Sequence, residues 1–448
     1  MGPETDFLNL NHQTEVDSDV KPYTMKEAIT EAKRCLQCKV PMCKRGCPIN
    51  NNITEFIGSL AMGNLGEARA YLTQKTNLPA VCGRVCPHEK QCQGSCVLAR
   101  KGQALHIGKL EQFVADFDAD MELIRYTIPG KNRGKVAVIG SGPAGLTVAG
   151  DLALMGFKVT VYEAEEEPGG ILMYGIPEFR LPKDVVRKEI KRIEEHGVTF
   201  ITNTKIGVDK TIDNLFDEGY DAIFIGTGTA VSKGLDIPGR TLKGVMKSNY
   251  MLRRVFMFRS GEIKKEDLPV LPGERVLVIG AGNVAMDASR TAMRCGAESC
   301  TVVYRDVLET ISAEPNEYEG AVNDGVQFKW KSTPIEYIGD ASGRYLRGLK
   351  VECEGNEEII PCDKCIIAIG SKPARLIIST TEGIEVNDQG YVEIREEPYG
   401  MTTLKGVFAG GDVVHRPATV VLAMKEAKEV AEGIAKYVDA VKLINSLK

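Results

Sequence analysis

The chain has 448 residues, of which 43% are hydrophobic and 26% charged, and its net charge is −5. This composition is typical of a soluble globular protein of about three domains and excludes a disordered or fibrous chain. Lysine and arginine are spread along the sequence, so neither nucleic acid nor a membrane surface is expected as a partner. Residues 1–20 are polar and acidic and lack the apolar segment of a secretory signal, which predicts a cytoplasmic location.

Eight of the thirteen cysteines lie between Cys35 and Cys96. In a reducing compartment such a density indicates metal binding rather than disulfide bonds. The first group reads Cys35-x2-Cys38-x4-Cys43-x3-Cys47-Pro48, and the second group consists of Cys82, Cys86, Cys92 and Cys96.

The first group has a ferredoxin-like spacing, in which the cysteine before proline binds a different cluster from the three cysteines preceding it. We therefore expect two [4Fe-4S] clusters, with zinc as the alternative metal. Apolar residues at helical spacing in 52–72 predict helices that bring the two groups together. The first cluster would take Cys35, Cys38 and Cys43 and lack one ligand, whereas the second would take Cys47, Cys86, Cys92 and Cys96 and leave Cys82 spare.

After a helix predicted over 104–124 and a linker at 129–134, a glycine-rich motif follows an apolar strand. In this motif Gly140 permits a tight turn, Gly142 lets a pyrophosphate approach the backbone, and Gly145 lets the next helix pack on the strand. Glu163 ends the following strand, where its carboxylate can accept hydrogen bonds from both ribose hydroxyls. Because this carboxylate would repel a 2′-phosphate, the motif predicts FAD or NAD.

Two further segments have the character of a flavin site. Residues 167–183 contain the pair Gly169-Gly170, which suits a backbone lying against a ligand. A helix is predicted over 184–196, and the buried strand at 221–225 ends in a glycine turn at 226–228. Near the C-terminus, Asp412 follows two glycines and can accept hydrogen bonds from the ribityl hydroxyls. A helix beginning near Ala418 would direct its positive end at the isoalloxazine.

A second glycine-rich motif, Gly280-Ala-Gly282-Asn-Val-Ala285, follows another apolar strand. We align the strand that follows this motif with the strand that ends at Glu163. In this alignment Arg305 takes the position of Glu163. An arginine there favours a 2′-phosphate and therefore NADP(H). The alternative is a surface arginine at the end of a strand.

These motifs together, with the segment Pro168-Gly-Gly-Ile-Leu-Met-Tyr-Gly-Ile-Pro-Glu-Phe-Arg180, resemble the glutamate synthase small-subunit family of flavoproteins throughout the chain. The family includes the larger subunit of NADH-dependent ferredoxin:NADP oxidoreductase. The resemblance implies an α/β fold: a helical iron–sulfur domain at 1–130, an FAD domain at 131–245 and 370–448, and an inserted NAD(P) domain at 246–369. Both nucleotide domains would be of the glutathione-reductase type.

The resemblance also implies site residues. In the family the cluster that is short of a cysteine takes a carboxylate or amide ligand, which here would be Glu111 in the first cluster. Asp306 stands where relatives that use NADP usually carry a second arginine, so NAD is the alternative. The expected FAD contacts are Gly140, Gly142, Pro143, Ala144, Gly145, Glu163, Gly170, Leu172, Arg180, Ile206, Thr227, Gly228, Gly411, Asp412, Thr419 and Val420. The expected NAD(P) contacts are Gly280, Gly282, Asn283, Val284, Ala285, Arg305 and Gly370.

The expected function is a flavoprotein subunit that carries electrons between NAD(P)H, FAD, the clusters and a partner subunit. The partner would be of the glutamate synthase type or of an electron-bifurcating type. Hydride transfer to flavin requires no general acid, so no catalytic side chain is predicted. The alternatives are a dithiol–disulfide reductase that uses Cys362 and Cys365, and a non-catalytic adaptor. Since Cys365 enters an apolar strand, it is more typical of a core residue than of a reactive thiolate.

Overall fold

The computed structural model describes residues 21–121 and 128–447, which form two compact units. The larger unit contains the described residues of 21–173, together with 180–230 and 372–447. The smaller unit contains 174–179 and 231–371. Within these described ranges, no helix is both long enough and apolar enough to cross a membrane.

The larger unit begins with six helices that surround the cysteines. A capping box starts the first helix, because Thr24 Oγ1 accepts from the Glu27 N–H at 3.3 Å and the Glu27 carboxylate accepts from the Thr24 N–H at 2.7 Å. Buried Phe56, Ile57 and Leu60 pack against the last helix of the set. The helices are α1 (Met25–Ala32), α2 (Met42–Gly46), α3 (Ile53–Ala61), α4 (Leu65–Thr73), α5 (Pro79–Val85) and α6 (Ile107–Met121).

A parallel five-stranded sheet follows in the same unit. Its strands are β1 (Gly134–Ile139), β2 (Phe157–Tyr162), β3 (Val198–Ile201), β4 (Ala222–Ile225) and, far along the chain, β15 (Val407–Ala409), in the order β15-β4-β1-β2-β3. Its helices are α7 (Pro143–Leu154), α8 (Ile171–Tyr174), α9 (Lys183–Glu195), α10 (Ile212–Asp217), α14 (Leu376–Ser379) and α15 (Val420–Ser446).

Residues 231–371 of the smaller unit lie between β4 and β15 in the chain. A second parallel sheet has the order β6-β13-β7-β8-β9, and an antiparallel sheet has the order β10-β11-β12. The two short strands β5 (Val231–Ser232) and β14 (Ser371–Lys372) pair with each other. The remaining elements are β6 (Val245–Lys247), α11 (Ser248–Arg259), β7 (Arg275–Ile279), α12 (Asn283–Arg294), β8 (Ser299–Val303), α13 (Pro315–Asn323), β9 (Gln327–Lys329), β10 (Ser332–Gly339), β11 (Leu346–Cys353), β12 (Asn356–Pro361) and β13 (Lys364–Ile367).

These elements confirm the predicted α/β fold class, with a helical N-terminal region and two nucleotide-binding sheets. The helix predicted over 104–124 begins at Ile107, and residues 122–124 lie outside the described part of the chain. Polar contacts join the N-terminal region to helices α7 and α9 within the larger unit. Asn77 Nδ2 donates to Asp151 Oδ1 at 2.9 Å, and the Ala80 N–H donates to Glu189 Oε1 at 2.7 Å.

Candidate functional site

The first glycine-rich turn joins β1 to α7. Gly140 has φ +93°, and a Cβ atom there would lie 2.9 Å from the carbonyl oxygen of Gly226. A Cβ atom on Gly145 would lie 1.9 Å from the carbonyl oxygen of Gly140, so only glycine allows the helix to pack this closely. Gly142 faces open space before the first residue of the helix, Pro143. The turn therefore offers backbone N–H groups and a helix N-terminus to a pyrophosphate.

Glu163 lies beside this turn. Its carboxylate accepts from the Ser141 N–H at 2.9 Å and from the Glu165 N–H at 3.0 Å, and the residue is 7% exposed. The Ser141 hydroxyl also donates to Glu163 and accepts from the Gly169 N–H at 2.8 Å. The sequence motif did not single out Ser141, yet this buried residue links the carboxylate to the second glycine segment.

Two more segments approach the same turn. A Cβ atom on Gly170, which has φ +52°, would lie 2.9 Å from the Gly142 Cα. Likewise, a Cβ atom on Gly411 would lie 2.9 Å from the Cβ of Ala144. Close approach of backbone to backbone is therefore a property of this region, and glycine makes it possible.

Buried polar side chains hold these two segments in place. Lys183, which is 5% exposed, donates from Nζ to the carbonyl oxygen of Leu172 at 2.8 Å. Glu426 on α15 accepts from the Gly411 N–H at 2.8 Å. Neither Lys183 nor Glu426 was predicted to have a role, because a charged residue in an amphipathic helix gives no sign of burial by itself.

Asp412 and the start of α15 lie where the sequence predicts them. Burial raises the pKa of Asp412, although a hydrogen bond from the Ala418 N–H opposes this shift. Thr419 precedes the helix and caps it, because its hydroxyl accepts from the Leu422 N–H at 3.4 Å, and Val420 is the first helical residue. The remaining predicted FAD residues in the larger unit are Arg180 and Ile206, both buried, and Thr227 and Gly228, which follow β4.

The second glycine-rich turn joins β7 to α12 in the smaller unit. Gly280 has φ +116°, and a Cβ atom there would lie 2.4 Å from the carbonyl oxygen of Ala368. The Asn283 side chain accepts from the Glu314 N–H at 2.8 Å, so the chain after β8 returns to this turn. Of the other predicted residues, Gly282 precedes α12, Val284 is 37% exposed, Ala285 is buried, and Gly370 has φ +97° with open space beside it.

The prediction that Arg305 occupies the position of Glu163 is wrong by one residue. The Gly140 N–H donates to the carbonyl oxygen of Tyr162, and the corresponding Gly280 N–H donates to that of Val303. By this register, Tyr304 corresponds to Glu163. The sequence alignment matched two tyrosines, whereas backbone pairing sets the true register. Arg305 is exposed just beyond the strand end.

Asp306 is turned towards its own loop. Its Oδ1 atom accepts from the N–H of the next residue, Val307, at 2.9 Å. Its carboxylate is therefore engaged by the backbone next to Arg305.

The cysteines fall into two sets, and the first, which we call the outer site, consists of Cys35, Cys38, Cys43 and Cys96. All four line one small cavity that is partly open to solvent, together with Leu36 and Met42. The segment before Cys96 reaches this place because Gly46, at the end of α2, has no side chain. A Cβ atom at Gly46 would lie 2.2 Å from Ser95 Oγ.

The second set, which we call the inner site, consists of Cys47, Cys86, Cys92 and Glu111. Burial raises the pKa of Cys47 to about 11 and that of Cys92 well above its usual value, and the Glu111 carboxylate adds to both shifts. The neighbouring Cys82 side chain and burial raise the pKa of Cys86, and Glu111 again contributes. The prediction therefore exchanged two residues: Cys96 belongs to the outer neighbourhood and Glu111 to the inner one. Cysteine spacing alone did not reveal which helix faces which loop.

Glu111 is a buried carboxyl group whose surroundings suit a ligand. It is 6% exposed, burial raises its pKa to about 8, and it accepts from Asn51 Nδ2 at 3.3 Å. Arg69, which is 1% exposed, lowers this pKa in part. A carboxyl group buried beside three thiols is costly unless a cation compensates for it, and iron would do so.

The side chains of each set share a neighbourhood without meeting at one point. Among residues 21–121 and 128–447, no three Cys, His, Asp or Glu side chains are arranged so that they could hold a metal ion as they stand. The donor types nevertheless fit iron–sulfur chemistry, because thiolates are the usual ligands of such clusters. Binding would require the thiols to turn towards a common centre.

Cys362 and Cys365 do not have the properties of a redox pair. Both are fully buried in the core of the smaller unit, and neither forms a disulfide. Burial raises the pKa of Cys362 to about 12 and that of Cys365 well above its usual value. A reactive thiol requires a lowered pKa and access to its substrate, so these residues are core residues.

Two family models match the chain. Residues 12–123 match "Dihydropyrimidine dehydrogenase domain II, 4Fe-4S cluster", and residues 134–427 match "Pyridine nucleotide-disulphide oxidoreductase". With the two glycine-rich turns and the cysteine-rich helices, these matches define the class of protein. It is an NAD(P)H-dependent oxidoreductase that contains flavin and iron–sulfur centres.

Curated relatives specify the family further. The chain is 36% identical to the glutamate synthase [NADPH] small chain of Halomonas elongata over 446 residues, which cover 94% of this chain and 92% of the relative. It is 35% identical over 428 residues to the Escherichia coli K12 NAD-dependent dihydropyrimidine dehydrogenase subunit PreT, covering 95% and 98%. The chain belongs to the glutamate synthase small-chain family.

The fold has parallels among solved structures. The structure of FprA from Mycobacterium tuberculosis in complex with NADPH matches 69% of this chain and 85% of its own, with a TM-score of 0.57 and 18% identity. At this identity the likeness supports the fold of the nucleotide-binding part alone.

Proposed function

We propose that the chain is an electron-transfer subunit that connects NAD(P)H to a partner subunit through FAD and two [4Fe-4S] clusters. The observation that carries this proposal is the division of the ligands into an outer site that lines a surface cavity and an inner site in which Cys92 and Glu111 are buried. The inner site lies in the same compact unit as the flavin-type glycine turn. When bound, FAD would accept two electrons as a hydride and release them singly to one-electron centres.

The proposed ligand sets follow the two neighbourhoods. The outer cluster would be held by Cys35, Cys38, Cys43 and Cys96. The inner cluster would be held by Cys47, Cys86, Cys92 and Glu111. If Glu111 is a ligand of the inner cluster, its burial beside three thiols is explained.

The chain's own groups would bind and orient FAD. The N–H groups at the start of α7 would hold the pyrophosphate, and Glu163 would accept hydrogen bonds from the ribose. Asp412, fixed by the Ala418 N–H, is placed to accept hydrogen bonds from ribityl hydroxyls. The N-terminus of α15 would stabilise negative charge on a reduced flavin.

For the nicotinamide nucleotide we propose NADP(H), with Arg305 as the cation for the 2′-phosphate. Arg305 is exposed at the end of β8, while the neighbouring Asp306 carboxylate is engaged by the Val307 N–H. The relatives' names do not decide between the nucleotides, because one is called an NADPH enzyme and another is called NAD-dependent.

Arg305→Ala tests this assignment. It should weaken NADPH binding by about 1.5–3 kcal/mol, the usual range for a hydrogen bond to a charged group, and leave NADH binding nearly unchanged. Titration of both nucleotides against wild type and variant measures the difference. A wild type that prefers NADH would show that Arg305 does not bind a 2′-phosphate.

The partner would be a second subunit, because the names of the relatives describe a small chain and a subunit of larger enzymes. It would be of the glutamate synthase type or of an electron-bifurcating type. The outer site is the proposed point of electron exchange, because Leu36 and Val40 next to its cysteines are 55% and 54% exposed.

Anaerobic purification tests the cofactor proposal as a whole. Two [4Fe-4S] clusters and one flavin require about eight irons and one FAD per chain. Stopped-flow mixing with NADPH should then bleach the flavin and afterwards reduce the clusters. Stoichiometric zinc, or about four irons, would contradict the proposal of two clusters.

A further inference from the structure

Cys82 is the cysteine that neither ligand set includes. It lies on α5, one helical turn before Cys86, and the Cys86 N–H donates to the Cys82 carbonyl oxygen at 3.2 Å. Its side chain is 2% exposed, so a reaction with solvent-borne oxidants or ions is excluded. Its function must therefore be sought among its contacts.

The Cys82 sulfur has two hydrogen-bonding neighbours. Thr76 Oγ1 lies 3.7 Å from it, and the Met424 sulfur, to which its S–H donates, lies 3.8 Å from it. The Cys86 side chain follows four residues later at the end of α5, at the spacing where side chains on one helix face are neighbours. Met424 is fully buried on α15, one turn after Val420. Cys82 thus lies between the inner site and the helix whose N-terminus belongs to the flavin site.

Thr76 determines the direction of the hydrogen bonds. Its hydroxyl oxygen accepts from the Leu78 N–H at 3.1 Å, so its own proton is available to the Cys82 sulfur. The Cys82 S–H is then free to donate to one of the other two sulfurs. The Met424 thioether is a weak acceptor.

Iron binding would decide between the two acceptors. A ligating cysteine is a thiolate, so Cys86 could no longer donate and would become a charged acceptor. Hydrogen bonds to a charged acceptor are roughly twice as strong as neutral ones. The Cys82 S–H would therefore turn from Met424 to Cys86, in a chain that runs Thr76 to Cys82 to Cys86.

We propose that Cys82 is a positioning residue that raises the reduction potential of the inner cluster by donating a hydrogen bond to the Cys86 thiolate. This inference rests on the proposed function, in which Cys86 is a ligand of that cluster. A reduced cluster carries one more negative charge than an oxidised one. A donor to its ligand sulfur therefore stabilises the reduced form more strongly and raises the potential.

The test is a redox titration of the purified holoprotein followed by electron paramagnetic resonance, which reports each cluster separately. Cys82→Ala should lower the reduction potential of the inner cluster by about 59 mV. For a one-electron couple this corresponds to a tenfold change in the ratio of oxidised to reduced cluster. Cys82→Ser, which restores a donor, should keep the potential near or above that of wild type. The outer cluster should not shift in either variant.

Met424→Leu is the matched control, because it removes the competing acceptor and leaves the donor in place. It should leave the potential of the inner cluster unchanged.

An unchanged potential in Cys82→Ala, or an equal fall in Cys82→Ala and Cys82→Ser, would overturn the proposal. Loss of one cluster in Cys82→Ala, with both retained in Cys86→Ala, would show instead that Cys82 is the ligand. A wild type without iron–sulfur signals would contradict the proposed function itself.

Discussion

The outer and inner sites lie in one helical region but in opposite surroundings. The outer site opens to solvent beside the exposed apolar residues Leu36, Val40 and Met42. At the inner site Cys92 and Glu111 are buried, Cys47 and Cys86 are partly buried, and burial raises the pKa of the Glu111 carboxyl group. Geometry thus suits the outer site to exchange electrons with another protein and the inner site to exchange them within the chain.

The charges around the two sites differ as well. The two segments that frame the outer cavity, 33–54 and 90–110, carry five and four lysines or arginines respectively and no aspartate or glutamate. The chain as a whole has a net charge of −5. At the inner site, by contrast, opposite charges are buried together: Arg69 Nε lies 2.8 Å from Asp118 Oδ2, and Arg192 Nη2 lies 2.7 Å from the same oxygen. Among the outer cations, Lys39 and Arg45 are exposed, whereas the inner charges are paired within the fold.

The largest expected effect comes from removing one ligand of each site. Cys38→Ala and Cys86→Ala should each lose or convert one cluster, so that iron content falls by up to about half. NAD(P)H should still bleach the flavin in both variants, because the flavin site has its own core, while electron delivery to the partner should fall sharply. Cys353→Ala, a cysteine outside both sets, is the control. Undiminished delivery by cluster-deficient Cys86→Ala would show that electrons bypass the inner site.

Glu111 provides the next test, because it is the ligand that distinguishes the two sites. Glu111→Ala should lose or convert the inner cluster and leave the outer one intact, since alanine offers no atom to iron. Glu111→Gln keeps an oxygen donor and should retain more iron. Spectra of the separate clusters decide the assignment. If Glu111→Ala altered the outer cluster instead, the two ligand sets proposed above would be exchanged.

The buried ion pairs should matter for stability more than for electron transfer. Asp118→Ala leaves the Arg69 and Arg192 guanidinium groups without this carboxylate and should lower the free energy of unfolding by about 3–5 kcal/mol. Glu55→Ala breaks the more exposed 3.1 Å pair with Lys44 and should cost about 0–1 kcal/mol. Denaturant unfolding of both variants measures this contrast. If both variants lost the same free energy of unfolding, the ion pairs of Asp118 would contribute no more than a surface ion pair.

The smallest expected effect concerns the rim of the outer site. Reversing two exposed cations, as in Lys39→Glu with Arg45→Glu, should slow electron transfer to a small acidic ferredoxin by about tenfold at low salt. The effect should fade as ionic strength rises, because screening weakens steering. The double variant Lys264→Glu with Lys405→Glu, outside the segments 33–54 and 90–110, is the control. Equal slowing in the control would show that overall charge, and not the rim, sets the rate.

The sequence by itself determined the two nucleotide motifs. A tight turn, a close approach to phosphate and a close helix contact each require glycine, so Gly140, Gly142 and Gly145 are readable without a structure. The same holds for Glu163, whose place follows from the strand that precedes it. The expected fold class came from the family resemblance that these motifs and the cysteine-rich N-terminal region carry.

Three features depended on the tertiary structure alone: the division of the cluster ligands, the position of Arg305 and the contacts of Cys82. Cys96 joined the outer site and Glu111 the inner site because α2 packs on the segment before Cys96 and α6 packs on α5. Arg305 fell one residue beyond the predicted position because backbone pairing, not side-chain identity, sets strand register. Cys82 gained partners through Thr76 and Met424, which is 342 residues away in sequence. Local spacing fixes what a segment can form, but contacts between distant segments depend on packing that no local pattern encodes.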